Sequence, residues 1–236
     1  MRANRPPFDR VDRAAPDLPL EVVGWERAAA AWRVRFLGRG VARRPEHGLG
    51  ALAPAATSLA WLDQRHTDLI TPAAPGNCGV GDALAIETSA LAGVVATADC
   101  LPIAIVRGPR AVLVHAGWRG LAAGLAWKAA AGLGGGPGSE AWIGPAIGAC
   151  CYEVGDDVAE QVRQASGDGV VVAGANGKPR LDLRLAAALE LRAAGIARVS
   201  LLDHCTRCRG EWLWSHRREP GRTGRNLTLL WRDSAG

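Results

Sequence analysis

Residues 91–120 read LAGVVATADC LPIAIVRGPR AVLVHAGWRG. Three apolar runs rich in β-branched residues follow one another there: Leu91–Thr97, Ile103–Arg107 and Ala111–His115. Each has the length of a buried strand, and Gly108-Pro109 is a turn signal between the last two. A fourth run, Ala83–Glu87, precedes them. Nothing between residues 83 and 115 is long enough to hold crossover helices, which argues against a simple doubly wound parallel sheet. The expectation is an α/β (α+β) fold, with mixed or stacked sheets and helices outside.

Outward from this block, Leu20–Trp25, Trp32–Leu37 and Thr67–Ile70 read as strands, and Ser58–Gln64 as a short helix capped by Ser58. Arg43–Pro54 and Pro72–Gly81 read as Gly/Pro-rich loops. On the C-terminal side, Leu121–Leu133 is an Ala-rich helix ended by three glycines and Pro137. Ala141–Ile143 is a strand, and a helix from a cap at Asp156 runs to Ala165. Val170–Ala173, Val199–Leu202, Glu211–Ser215 and Asn226–Trp231 are strands, and Leu183–Ala194 is a helix stopped by Gly195. Residues 1–19, rich in Pro, Arg and Asp, read as a flexible arm, and 20–236 as a single catalytic domain.

The 236 residues are 48% hydrophobic and 22% charged, an ordinary globular balance. The net charge of +5 comes in part from arginines near the two ends, but no arginine stripe is interleaved with stacking aromatics, so nucleic acid is not an expected partner. The first thirty residues hold no apolar core of a signal peptide, and no apolar run approaches eighteen residues. The expected compartment is the cytoplasm, with no membrane partner. Six cysteines are too few for a disulfide scaffold. Cys150-Cys151 is a poor arrangement for a mutual bridge, and Cys205-x-x-Cys208 is weak as a metal motif without a second pair.

Chemistry concentrates at the strand ends. Cys100 follows Leu91–Thr97, and His115 closes Ala111–Val114, fifteen positions on. A strand out and a strand back would bring the two together. Gly117 and Gly120, just after His115, suggest close backbone approach, and the helix start beyond them offers N–H groups to an anion such as phosphate. His66 stands at the entrance of the Thr67–Ile70 strand. One Cys and two His make a three-ligand set with an open fourth position, as in catalytic zinc sites, and the same donors accept copper. Asp82 and Asp99 are candidates to orient the imidazoles.

These motifs resemble the laccase-domain family of purine nucleoside phosphorylases, also called multicopper polyphenol oxidases or peptidoglycan editing factors. The matching stretches are Trp61–His66, Gly81–Leu84, Thr97–Ile103, His115–Gly120, Ile143–Gly155, Lys178–Leu183, Cys205-Thr206 and Ser215–Arg225. Two departures stand out. Thr67 follows the first histidine where the family usually has Gly, and Gly38-Arg39-Gly40-Val41 is a degraded form of the family's Thr-Arg-x-Gly-Gly segment, which bears on any role of Arg39.

The resemblance implies a layered α/β sandwich like the cysteine-hydrolase-like laccase-domain fold, and a zinc held by His66, Cys100 and His115. It implies purine nucleosides and inorganic phosphate as substrates, with phosphorolysis of adenosine, inosine and S-methyl-5′-thioadenosine, and adenosine deamination. Arg217, Arg218 and Arg225 are candidates to hold phosphate oxygens. Glu153 and Asp99 are candidate proton donors. The rival readings are a Cys100–His115 hydrolase acting on peptidoglycan precursors, a copper-dependent polyphenol oxidase, and a non-catalytic module with a closed structural metal. Multicopper chemistry needs many His-x-His pairs, and five scattered histidines do not supply them.

Overall fold

Along Leu91–Thr97, alternate side chains leave on opposite faces. Leu91 and Val95 enter one apolar cluster, and Ala92 and Val94 enter another. The strand is therefore buried on both sides, which is why it reads as a continuous apolar run. The computed structural model describes residues 9–10, 13–14, 21–22, 24–29, 31–40, 57–196 and 198–233.

In chain order the strands begin with β1 (Asp9–Arg10), β2 (Arg13–Ala14), β3 (Glu21–Val22), β4 (Gly24–Ala29) and β5 (Trp32–Leu37). Next come β6 (Ser58–Asp63), β7 (Ile70–Pro72), β8 (Gly76–Val80), β9 (Ala83–Ile86), β10 (Leu91–Thr97), β11 (Leu101–Arg107) and β12 (Arg110–Ala116). Helices α1 (Trp118–Ala122) and α2 (Leu125–Gly132) lead to β13 (Ser139–Ile143), and α3 (Asp156–Ser166) leads to β14 (Val171–Ala173) and β15 (Pro179–Leu181). Helix α4 (Leu183–Ala193), β16 (Arg198–Leu201) and β17 (Asn226–Arg232) complete the order.

Among the described residues one sheet has the order β1-β4-β5-β17-β10-β6-β8, and a second has β16-β13-β11-β12-β9-β7. Both mix parallel and antiparallel pairs. Phe36, Val95 and Leu230 of the first sheet pack against Leu84, Leu113 and Trp142 of the second. The far face of the second sheet, with Ile103, Ile105, Val112 and Val114, is covered by Leu121 of α1, Leu125 and Ala129 of α2, and Ala187 and Leu191 of α4. The mixed, layered architecture matches the expectation.

Several local readings need correction. Ser58–Gln64 is not a helix: β6 runs parallel to β10, with Ala60 and Leu62 buried at strand period. That pairing is tertiary and overrides the local signal. Leu121–Leu133 is split into α1 and α2 at Gly124, whose φ of +72° no continuous helix allows. Asp156 lies in the first turn of α3, and Gly155 is the N-cap. Residues 211–215 form a turn and an irregular segment, not a strand, and the Trp212 carbonyl accepts from Arg39 N–H. Part of the expected loop after Pro72 is the strand β8, pairing with β6. The expected strand at Thr67–Ile70 begins only at Ile70. Within the expected arm, β1 pairs with β4 and β2 with β3. The rest of residues 1–19, and the expected loop Arg43–Pro54, lie outside the described residues.

The registers gather one rim. β10 and β6 run parallel, so both end there; β11 starts there, since Leu101 pairs with Ala116 at the end of β12. β9 also starts there, with Ala83 opposite Val114.

Candidate metal centre and cleft

His115 is the penultimate residue of β12, paired with Pro102 of β11, and is buried. Cys100 comes from the loop joining β10 to β11, and His66 from the segment after β6. The ligand atoms of His66, Cys100 and His115 all lie within 4.8 Å of one another, and Cys100 Sγ is 3.7 Å from His66 Nε2. The three side chains read from the sequence therefore meet.

Backbone geometry aims them. His66 and Asp99 are the two non-glycine residues with positive φ among the described residues, at +59° and +95°. Such conformations persist where surrounding contacts over-determine them. Gln64 fixes the approach to His66: its amide donates to Ala96 O at 2.7 Å and accepts from Ala96 N at 2.8 Å. Asp99 accepts from Thr206 Oγ1 at 2.5 Å and from Arg217 N at 2.7 Å. A Cβ on Gly117 would stand 3.0 Å from His66 Cδ2 and 3.2 Å from Cys100 Sγ, so only glycine leaves room for the triad.

Asp82, fully buried, joins the two histidine segments. Its Oδ1 is 2.7 Å from His115 Nδ1. Its Oδ2 accepts from Thr67 N at 2.6 Å, Thr67 Oγ1 at 2.7 Å and Arg65 N at 3.2 Å. Thr67, the departure from the usual glycine, thus adds a hydroxyl donor to this carboxylate. The hydrogen bond at Nδ1 leaves His115 Nε2 for the triad. Burial opposes the charge on Asp82, but hydrogen bonds from His115 and Thr67 hold its carboxyl well below the usual carboxylate range. Burial likewise opposes charge on Cys100 and His115. Yet His115, then His66, bring the Cys100 thiol down to about 6, and Asp82, then Cys100, raise His115 to about 9.

The donor set, the cradle kept open by Gly117 and the carboxylate behind His115 fit a divalent cation of borderline softness. Thiolate plus two imidazoles would hold it on three sides, leaving the cleft side open.

The triad lies in a cleft of about 520 Å³. Arg217 and Arg225 line it, as expected, and so do Trp118, Arg119, Tyr152 and His216, which the sequence reading had not singled out by role. All four fall inside motifs that resembled the family, which was the available signal. Burial raises the Tyr152 hydroxyl to about 12, and the Arg217 guanidinium lies 5.4 Å from its ring.

Three expectations are corrected here. Arg218 is not part of the cleft lining: its guanidinium donates to the carbonyls of Thr206, Arg207 and Leu213. Asp99 orients no imidazole and instead braces Thr206 and Arg217. Glu153, a candidate proton donor, turns to Lys178 and Asn176. Arg39 lies 3.7 Å from the Trp214 ring and bonds Glu219 at 2.5 Å, so it braces the segment on both sides of His216 and is not part of the cleft lining.

A family model described as multi-copper polyphenol oxidoreductase laccase matches residues 40–233. The chain belongs to this family. Within the family it is 36% identical over 178 residues to a purine nucleoside phosphorylase of Pseudomonas aeruginosa, covering 72% of this chain and 73% of that protein. It is 36% identical over 163 residues to an adenosine deaminase from an unknown prokaryotic organism, covering 64% of this chain and 62% of that one. A crystal structure of the Bacillus licheniformis protein YfiH shares the fold at a TM-score of 0.81 and 24% identity, covering 96% and 99% of the two chains. A Neisseria meningitidis structure matches at a TM-score of 0.76 and 28% identity, covering 97% and 100%. No helix among the described residues is long and apolar enough to cross a membrane.

Proposed function

We propose that this chain is a zinc-dependent purine nucleoside phosphorylase that also deaminates adenosine. The observation that carries the reading is the meeting of His66, Cys100 and His115 in a cleft whose lining includes Arg119, Arg217 and Arg225. The names of the relatives point to the same chemistry. His66, Cys100 and His115 would hold the zinc ion, which would supply Lewis acidity in the cleft. Copper is the alternative occupant.

The chain's own residues divide the remaining work. Arg217 and Arg225 bind phosphate oxygens through charge-assisted hydrogen bonds, and Arg119 is a third arginine of the lining. Trp118 and Tyr152 are the aromatic groups of the lining that would contact the purine. In phosphorolysis a phosphate oxygen bonds to C1′ of the ribose, and the C1′–N9 electron pair leaves with the base. That base takes up one proton. Tyr152, whose hydroxyl stays protonated at neutral pH, and His216 are the lining groups assigned to deliver it. The substrates are adenosine, inosine and S-methyl-5′-thioadenosine, giving free base and the sugar 1-phosphate.

Inosine, adenosine and methylthioadenosine are to be assayed with and without phosphate. Base release that requires phosphate, and ammonia release from adenosine, are expected; base release unchanged by omitting phosphate rules out phosphorolysis.

One observation favours a second reading. Without a cation, Cys100 at about 6 and His115 at about 9 form a thiolate–imidazolium pair, as a Cys–His hydrolase of peptidoglycan precursors requires. Activity on such precursors in chelated protein, abolished by iodoacetamide and not raised by zinc, selects that reading.

A further inference from the structure

Four of the six cysteines lie away from the cleft triad in one group. Cys150 and Cys151 stand in the turn after β13, and Cys205 and Cys208 stand in the segment after β16. A parallel bridge between Ala146 and Cys205, with Thr206 N donating to Ala146 O at 3.1 Å, lays the two segments side by side. The Cys-x-x-Cys pair lacked a partner in the sequence; the fold supplies it fifty-five positions upstream.

The four sulfurs all lie within 4.8 Å of one another. Cys208 Sγ is 3.8 Å from Cys150 Sγ and 3.4 Å from Cys151 Sγ. Zinc–thiolate bonds of about 2.3 Å place tetrahedral sulfurs about 3.8 Å apart, so the cluster already has the size of a four-thiolate site. The backbone prepares it as well. The amide of Gly148 donates to Cys205 Sγ at 3.3 Å, as N–H groups do around metal-bound thiolates. A Cβ at Gly148 would come within 3.2 Å of Cys150 Sγ and 3.4 Å of Cys205 Cβ, so glycine keeps this turn close to the sulfurs. Four soft donors and no open position make a structural centre, not a catalytic one.

We propose that Cys150, Cys151, Cys205 and Cys208 hold a second zinc ion, which staples the turn after β13 to the segment after β16, beside the cleft. Binding exchanges the thiol protons for the metal, with no change of oxidation state. The staple has a direct mechanical link to the first site. Tyr152, next to Cys151, lines the cleft. Thr206, inside the Cys-x-x-Cys, donates to Asp99, the neighbour of Cys100. Its carbonyl accepts from Arg218 at 2.7 Å, which anchors the turn carrying Arg217.

The test is zinc content of the whole chain, purified in reducing buffer without added metal. Wild type is expected to carry two equivalents. The triple variant His66→Ala/Cys100→Ala/His115→Ala should keep one, and Cys205→Ser/Cys208→Ser should lose one. Because the serine variant risks misfolding, the triple variant is also loaded with Co²⁺, where strong thiolate-to-cobalt absorption with tetrahedral d–d bands is expected. A folded triple variant that holds neither zinc nor such cobalt overturns the proposal. So does a disulfide among these four cysteines in wild type alkylated under native conditions. A triple variant that keeps its zinc while wild type carries only one equivalent supports this centre and counts against the metal reading of the cleft, so the two fail separately.

Discussion

Asp82 takes hydrogen bonds from His115 on one oxygen and from Arg65 and Thr67 on the other, so one buried carboxylate sets both imidazole segments. Asp82→Asn keeps the volume and removes the charge behind His115. Metal affinity is expected to fall about 10–100-fold, the usual effect of losing such a partner, read by competition against a chelator. An unchanged affinity would remove Asp82 from the metal reading. Gly117→Ala drives a methyl against His66 and Cys100. Its folded state should survive while kcat/KM falls, by up to about 10²-fold if the triad is pushed by ~1 Å; near-normal turnover would mean the triad tolerates displacement. Cys100 and His115 drew notice in the sequence because each follows or ends an apolar run with a ligand type; His66, after the polar Asp63-Gln64-Arg65, gave a weak signal alone and was singled out beside them. The four-cysteine group was not. Its two halves are separated by most of α3 to β16, and only the Ala146–Cys205 bridge sets them side by side.

At the scale of elements, β10, β11 and β12 were legible because both faces of each strand are buried, leaving uninterrupted apolar runs. Strand β6 was not, because its place between β10 and β8 is a property of partners, not of Ser58–Asp63 itself. The split of Leu121–Leu133 is stabilised from a distance. Glu190 of α4 reaches the start of α2, accepting from Ala126 N at 3.1 Å and Trp127 N at 3.2 Å, and its other oxygen takes Ser166 Oγ at 3.2 Å. Burial outweighs these donors and pushes its carboxyl up to about 7. The folded chain then binds a proton that the unfolded chain has released, so stability falls as pH rises from about 4.5 to about 7, by an amount on the order of 3 kcal/mol. Glu190→Gln keeps the shape and cannot ionise. Urea midpoints of the two proteins should diverge with rising pH, the variant losing less; parallel curves would show that Glu190 ionises in the folded state as readily as in water.

In the molecule as a whole, the two sheets share the layer built on Phe36, Leu113 and Trp142, and the cleft opens at the rim where β6, β10 and β12 end. The core and the layers were legible as a class from composition and run lengths. Sheet order was not, since β17 sits between β5 and β10, far from both in sequence. A chain stopped before Asn226 leaves β5 and β10 with unpaired edges in mid-sheet. It should be recovered as aggregate, and a soluble, cooperatively unfolding product would show that the β5–β17–β10 order is not needed for folding.

That placement also bears on how the protein is made. Among the described residues, strand β17 follows every other strand in chain order, yet the two halves of its sheet pair only through it. As translation proceeds from the N-terminus, β4–β5 and β6–β10 emerge as two half-sheets with no seam to close. Until the final strand leaves the ribosome, the nascent polypeptide exposes two sticky borders, a window in which a chaperone that shields apolar edges would have its work to do.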